Sequence, residues 1–347
     1  MKDVALRLGV TTTTVHRALH NKEGVSDETR LRIRRTAAEM GYRQNYMAAA
    51  LKRKDLRIAV AIPDAAGDNS YYYGNLWAGV RRFLGETTGP DLIPLEYSYP
   101  LQLAAHGHVL KEIYQTHTDR LDGVLTMAMQ GDATSFFLDK FAEKNIPVVL
   151  IGNDIYREKR LCCVKTDDEM AGCLAAELMT AFSDNDAAKN IMVLGHFGQL
   201  GMQDQLINIS NFETQISRTA PRTSITRLHS DPAFSDIRGE LGTILGQKDF
   251  HAIYSSSARY TIYMTDVVKA LGLAHKIRLI GSDSFPESLQ LLQEGVLTAI
   301  VDKKIANLSY IGMKTLFDYI VKGAYPPGTV VQVNPEVVLR SNVRRKQ

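Results

Sequence analysis

No stretch of about 18 consecutive apolar residues occurs in the chain, so no segment is hydrophobic enough over the length a membrane-spanning helix needs. The start, Met1-Lys2-Asp3-Val4, reaches a charge at Arg7 before any apolar run develops, so no export signal is read there. The expectation is a soluble, cytoplasmic protein with no membrane partner. Cysteine is scarce: Cys162 and Cys163 are adjacent and Cys173 follows, an odd count with neither metal-ligand pairs nor a Cys-x-x-Cys redox spacing. A disulfide scaffold is excluded, and a reducing compartment fits.

Sequence signatures of catalysis are missing too. There is no Walker-type phosphate loop, no His-Glu-x-x-His pair and no serine-nucleophile elbow, and Gly195, Gly198 and Gly201 are not spaced as a dinucleotide fingerprint. His106 and His108 flank Gly107 without a further placed ligand and read as a solvated loop. Neither catalysis, a cofactor nor a metal is expected.

What is present is a chain of 347 residues, 45% hydrophobic and 23% charged, enough for a large core and about two to three folding units. Its net charge of +3 hides an asymmetry. Met1–Arg57 holds 13 Lys and Arg against 6 Asp and Glu, a balance of +7, and the remaining 290 residues balance at −4. A small basic module on a larger acidic one suggests a polyanion as partner of the basic part.

That basic part reads as three short helices. Val4, Ala5, Leu8 and Val10 share one face, and Gly9 stands where a helix ends in a left-handed residue. Thr11 suits the cap of a second helix, which buries Val15, Ala18 and Leu19 and turns Thr12, Thr13, His16 and Arg17 outward. Ser26 caps a third, with Asp27 and Glu28 in its first turn, Ile33, Ala37 and Met40 inward and Gly41 as the stop. A tight turn between the first two makes a helix-turn-helix unit.

The set Asp3-Val4-Ala5, Gly9-Val10-Thr11, Thr14-Val15-His16-Arg17-Ala18-Leu19, Val25-Ser26-Asp27-Glu28-Thr29-Arg30 and Met40-Gly41-Tyr42 resembles the lactose-repressor (LacI) family of bacterial transcription regulators. The resemblance implies that the second helix lies in the major groove, with Thr11, Thr12, Thr13, His16, Arg17 and His20 at the DNA. Arginine gives a bidentate donor pair to guanine or grips a phosphate, and threonine offers a hydroxyl and a methyl for thymine. It also implies that residues 45–55 form a hinge helix that folds on binding, with Asn45, Ala48 and Leu51 in the minor groove and Leu51 wedged between base pairs. His16 stands where the family usually has serine, His20 where asparagine is frequent, and Gln44 where proline is usual before Asn45. An operator different from the common family sequence is therefore expected. The chain also lacks the few residues that usually precede Lys2, so fraying of the first helix is expected.

Beyond Leu56, short β-rich runs alternate with amphipathic helical runs from Arg57–Pro63 to Leu297–Val301, the pattern of parallel sheets covered on both faces. Two sheets are expected. The fold class is thus an all-α helix-turn-helix head (1–44) and hinge (45–55) followed by an α/β body (56–343) of two doubly wound parallel-sheet lobes. The first lobe takes about 56–154 and 303–325 and the second about 160–300 and 328–343, with crossings at Gly152–Arg160, Asp302 and Lys322–Pro327. This half resembles the family's effector-binding domain, itself similar to periplasmic sugar-binding proteins, through Asn69-Ser70-Tyr71-Tyr72, Ile151-Gly152-Asn153-Asp154, Leu279-Ile280-Gly281-Ser282-Asp283, Leu297-Thr298-Ala299-Ile300 and Val337-Val338-Leu339-Arg340-Ser341.

Ligands in such sheets lie at the carboxyl ends of strands. By position the pocket candidates are Asp64, Asn69, Ser70, Tyr72, Asn153, Asp154, Asn208, Arg259, Asp283 and Asp302. Carboxylates and carboxamides suit paired sugar hydroxyls, and an aromatic ring packs on a pyranose face. A small carbohydrate effector is expected. Asn208 falls where many family members have an arginine and Ala258 where aspartate is common, while Arg259 offers a cation that would admit an acidic or phosphorylated ligand. The resemblance implies a homodimeric repressor on a palindromic DNA operator, two-state and ligand-responsive; with no heptad tail after the last strand, a dimer is favoured over a helical tetramer. A sugar-capturing transport or sensory protein would share the body and leave the basic helices without use. An enzyme on the same scaffold is the third possibility, recognisable by turnover of a bound sugar.

Overall fold

The computed structural model describes residues 2–19, 24–40, 55–88, 91–181, 189–195, 203–229 and 237–343. In the head, α1 (Lys2–Leu8) stops at Gly9, whose φ is +65°. Val10 N–H donates to the Ala5 carbonyl and Gly9 N–H to that of Leu6, the paired closure that a left-handed residue permits at a helix end. The turn is brief because Thr11 at once caps α2 (Thr12–Leu19), its hydroxyl oxygen accepting Thr14 N–H at 3.1 Å. Ser26 does the same for α3 (Asp27–Glu39) through Thr29 N–H at 3.3 Å. Val4, Ala5, Val15, Ala18, Ile33 and Ala37 form the core, with Leu8, Val10, Val25 and Met40 packed around it. Gly41 lies outside the described residues.

The body holds two six-stranded sheets. In the first the order is β11-β5-β4-β3-β1-β2, all parallel, with β1 Asp55–Pro63, β2 Asp91–Tyr99, β3 Gly123–Thr126, β4 Val148–Ile151, β5 Cys162–Thr166 and β11 Val330–Val333. In the second it is β12-β10-β9-β8-β6-β7, with β6 Lys189–Gly195, β7 Thr223–His229, β8 Ala252–Ser255, β9 Arg278–Ser282, β10 Ala299–Asp302 and β12 Glu336–Val338. The second sheet departs from the all-parallel expectation at β12, which runs antiparallel to β10. Helices α4 (Asn75–Glu86), α5 (Leu103–His117), α6 (Asp132–Glu143) and α12 (Ile305–Lys322) belong to the first lobe. In the second lie α7 (Asp168–Ala181), α8 (Gln203–Thr219), α9 (Ile237–Gln247), α10 (Ala258–Ala270) and α11 (Pro286–Gln293). Strands β3, β4, β8 and β10 are buried along their whole length, as parallel strands covered on both faces require.

The crossings between lobes correct two of the three sequence expectations. Gly152–Arg160 is no crossing but a polar connection between neighbouring strands, since Leu150 pairs with Cys163 and the sheet continues through β5. Lys322–Pro327 likewise returns within the first lobe, to β11 beside β5. The chain changes lobe at Asp167, at Lys303-Lys304 and at Asn334-Pro335, so 160–166 and 328–333 belong to the first lobe. Strand pairing is a long-range choice, which local polarity at 152–160 does not report. Close helix packing needs particular glycines: a Cβ on Gly172 of α7 would sit 2.1 Å from the Asn208 carbonyl oxygen of α8.

Candidate functional site

On the head, burial of Val15 and Ala18 leaves the opposite face of α2 in solvent, where Thr12, Thr13 and Arg17 are exposed beside Thr11. Thr11 spends its hydroxyl oxygen on the cap, so Thr12 and Thr13 carry the hydroxyls of this face that are not capping groups. The Arg30 guanidinium donates to the carbonyls of Arg17 at 3.4 Å and Val25 at 3.3 Å, tying α3 to the last turn of α2. His16 lies in α2 by its backbone; its side chain, and His20, Asn45, Ala48 and Leu51, lie outside the described residues.

The body carries a cleft of about 970 Å³, open to solvent, between the carboxyl ends of the two sheets. After β1 the chain makes two tight irregular turns, Gly67–Asn69 and Ser70–Gly74, which deliver Asp68, Asn69, Tyr72 and Tyr73 to the first wall. Gly152, with φ +74°, brings backbone close to the Tyr72 hydroxyl, and Asn153 beside it donates to the Ala128 carbonyl at 3.2 Å. The second wall is the start of α10: Ser257 caps the helix by accepting Tyr260 N–H at 3.4 Å, and Arg259 projects from its first turn. Thr166 and Lys303, at two crossings, close the floor, where the Thr166 hydroxyl donates to the Lys303 carbonyl at 3.3 Å.

The short turn segment also reaches the opposite lobe. Arg259 donates to Asn69 Oδ1, the Tyr263 hydroxyl donates to the Asp68 carboxylate, and the Tyr71 and Phe285 rings lie 4.9 Å apart. Burial and the Asp68 carboxylate push the Tyr263 phenol up to about 12.

Of the sequence candidates, Asn69, Tyr72, Asn153 and Arg259 line this cleft, and the other six do not. Asp64 accepts Ala66 N–H at 3.3 Å, and Ser70 is exposed. Asp154 is bound to Arg160 at 2.6 Å and Arg157 at 3.5 Å. Asn208, buried under α7, accepts the Tyr254 hydroxyl at 2.8 Å. Asp302 accepts Lys304 N–H at 2.9 Å, and Asp283 is 1% exposed and 3.6 Å from Lys303 Nζ. Among the charged lining residues Asp68, Asp168 and Lys303 were missed, and so were Thr166 and Gln205. Side chains alternate at strand ends, so choosing Asp302 rather than its neighbour Lys303 was a matter of parity that only the pairing of β10 resolves.

Two buried polar centres support the walls. His106 and His108 are in α5, not in a solvated loop, and His106 is fully buried. The Thr126 hydroxyl donates to the Ala61 carbonyl at 2.8 Å and therefore accepts from His106 Nε2 at 2.8 Å. Nδ1 then accepts Met129 N–H at 3.3 Å and the Thr134 hydroxyl at 3.1 Å. Burial holds this imidazole neutral, its pKa lowered to about 3. It bonds Thr126 and Met129, on either side of Met127, which lines the cleft. In the second lobe, Asp283 adopts φ +68°, and burial raises its pKa to about 6 against the pull of Lys303. Lys303 Nζ donates to the Ser256 carbonyl at 3.0 Å. Among the described residues no group of three or more His, Cys, Asp or Glu is placed to hold a metal, and no helix is long and apolar enough to cross a membrane.

Residues 1–45 match the model of bacterial regulatory proteins of the lacI family, and residues 110–324 that of the periplasmic binding protein domain. The chain belongs to the LacI family, with a periplasmic-binding-protein domain as its body. As a LacI-family member it is 28% identical over 173 residues to the HTH-type transcriptional repressor CytR of Escherichia coli (strain K12), covering 48% of this chain and 46% of that protein. The match thus spans about half the length of the first such relatives. The HTH-type protein ExuR of Bacillus subtilis (strain 168) is 23% identical over 99% of this chain and 98% of its own. Among solved structures, the glucose-galactose binding protein GanP of Geobacillus stearothermophilus superposes with a TM-score of 0.66 at 23% identity, over 83% of this chain and 98% of that one. A solute binding protein of Bacillus halodurans C-125 with bound myo-inositol gives 0.69 at 13%, over 84% and 96%. These likenesses show the fold of the LacI-family body.

Proposed function

We propose that this protein is a ligand-responsive repressor of transcription. It acts in the cytoplasm as a homodimer on a palindromic DNA operator, and a small carbohydrate in the cleft alters its grip on DNA without being turned over. The observation that carries the reading is the union, in one chain, of an exposed Thr12-Thr13-Arg17 face on a three-helix head with a two-lobed cleft. The basic balance of Met1–Arg57 suits a duplex, and relatives named as repressors agree with it. The body's likeness to proteins solved with myo-inositol and with D-fucose supports a sugar as effector. In this reading Thr11, Thr12, Thr13, His16, Arg17 and His20 face the major groove, and the 45–55 hinge, with Asn45, Ala48 and Leu51, enters the minor groove. Asn69, Tyr72, Asn153 and Arg259 hold the effector from both walls, so its arrival shifts the population between two lobe arrangements.

The test is selection of duplexes from a random pool, followed by titration of the enriched sequence. Arg17→Ala is expected to weaken the selected duplex by about tenfold to a hundredfold while any sugar-induced rise in melting temperature stays as in the parent chain. Failure to enrich any sequence, or equal affinity of the parent chain for selected and random duplexes, overturns the reading.

A further inference from the structure

We propose that the cleft selects an effector bearing an oxyanion, either a carboxylate or a phosphate, and that Arg259 is the residue that makes the selection; this rests on the cleft being the effector site. Four charged side chains line the cleft, and three are engaged by groups suited to them. Lys303 faces the buried Asp283 and the Ser256 carbonyl. Asp68 takes the Tyr263 hydroxyl. Asp168 has its own partner and stands in the first turn of α7, where the helix dipole favours an acid. Arg259 is the exception: its hydrogen-bond partner among the described residues is the neutral amide oxygen of Asn69, and no carboxylate pairs with it there.

A guanidinium presents a planar fork matched to two oxygens of a carboxylate or phosphate, so such a pair makes two parallel N–H···O bonds and neutralises the charge, which a single bond to a neutral oxygen does not. Asn69 offers one uncharged oxygen. An incoming oxyanion therefore gains by displacing it, whereas a neutral hydroxyl does not. The exchange also has a structural consequence, because Asn69 is on one lobe and Arg259 on the other. The neighbouring ties, Asp68 to Tyr263 and Tyr71 to Phe285, remain to hold the mouth of the cleft together while Arg259 turns to the ligand.

The experiment is calorimetric titration of the full chain with D-glucuronate, D-glucose 6-phosphate and D-glucose. One of the two anions is expected to bind at least about tenfold more tightly than D-glucose, and which one distinguishes carboxylate from phosphate. Arg259→Gln is expected to bring that ratio to within about twofold, with Arg259→Lys between. D-glucose binding as tightly as both anions overturns the proposal and leaves the carbohydrate reading standing. A preference that survives in Arg259→Gln overturns it as well. Binding of none of the three overturns both the proposal and the carbohydrate reading, and leaves the DNA-binding reading to its own test.

Discussion

The two lobes are alike in architecture and opposite in how they treat a buried polar centre. In the first, His106 has both ring nitrogens bonded, to Thr126 on one side and to Thr134 and Met129 on the other, and nothing in the network is left over. In the second, Asp283 and Lys303 are held by charge at 3.6 Å, while both carboxylate oxygens, the Ser256 hydroxyl and Asn208 Nδ2 make no well-formed hydrogen bond among the described residues. A satisfied centre specifies one arrangement, whereas one held mainly by charge depends on the protonation of its partners. The polar centre of the first lobe is closed on itself, and that of the second rests on a charge pair whose lysine lines the cleft.

Acid tests this contrast most strongly. The folded chain refuses a proton on His106 down to about pH 3, whereas the unfolded chain accepts one near 6.5. Stability from this residue therefore falls as the pH falls between those values, by about 5 kcal/mol in all and about 3 kcal/mol between about pH 7 and 4.5. Asp283 works the other way: it keeps its proton in the folded chain up to about pH 6, above the unfolded value of 3.8, so its contribution is lost as the pH rises through that window. Urea unfolding of the parent chain and of His106→Gln at both pH values is expected to show the smaller acid loss in the variant; equal losses would remove His106 from the account.

Next in size is the ion pair. Lys303→Met leaves a buried carboxylate uncompensated and is expected to cost about 3 kcal/mol near neutral pH, less in acid, with Asp283→Asn added to it restoring most of the loss. A double variant no better than the single would show that the pair is not coupled. Smaller still, Thr134→Val removes a bond to His106 and is expected to cost about 1 kcal/mol in the same unfolding experiment. Ser256→Ala removes a buried hydroxyl that has no hydrogen-bond partner among the described residues, and a change within about 0.5 kcal/mol is expected. Equal costs for these two truncations would erase the distinction between the lobes.

Much of the head was legible because its determinants are local. Gly9, Thr11 and Ser26 act on groups one to four residues away, and their hydrogen bonds follow from residue type and spacing. The alternation of strands and helices in the body was legible for a similar reason, since strands buried on both faces must be apolar throughout. The cleft was legible only in part. Asp154 and Asn208 sit near strand ends, as ligand-binding residues do, yet Arg160 claims the one and Tyr254 the other. His106 reads as polar and lies in a sealed core, because its partners Thr126 and Thr134 come from a strand and a helix that sequence alone does not place beside α5.

By itself, then, the amino-acid order determined the three capped helices of the head, the uneven charge and the alternating α/β character of the body, all consequences of neighbours within a turn or a strand. Tertiary structure decided that β5 and β11 complete the first sheet, that Lys303 rather than Asp302 meets the cleft, and that Arg259 faces a neutral partner across it. Those outcomes depend on which distant segments pair and on which side of a strand faces the gap. A change of one residue in register reverses them without altering the local pattern.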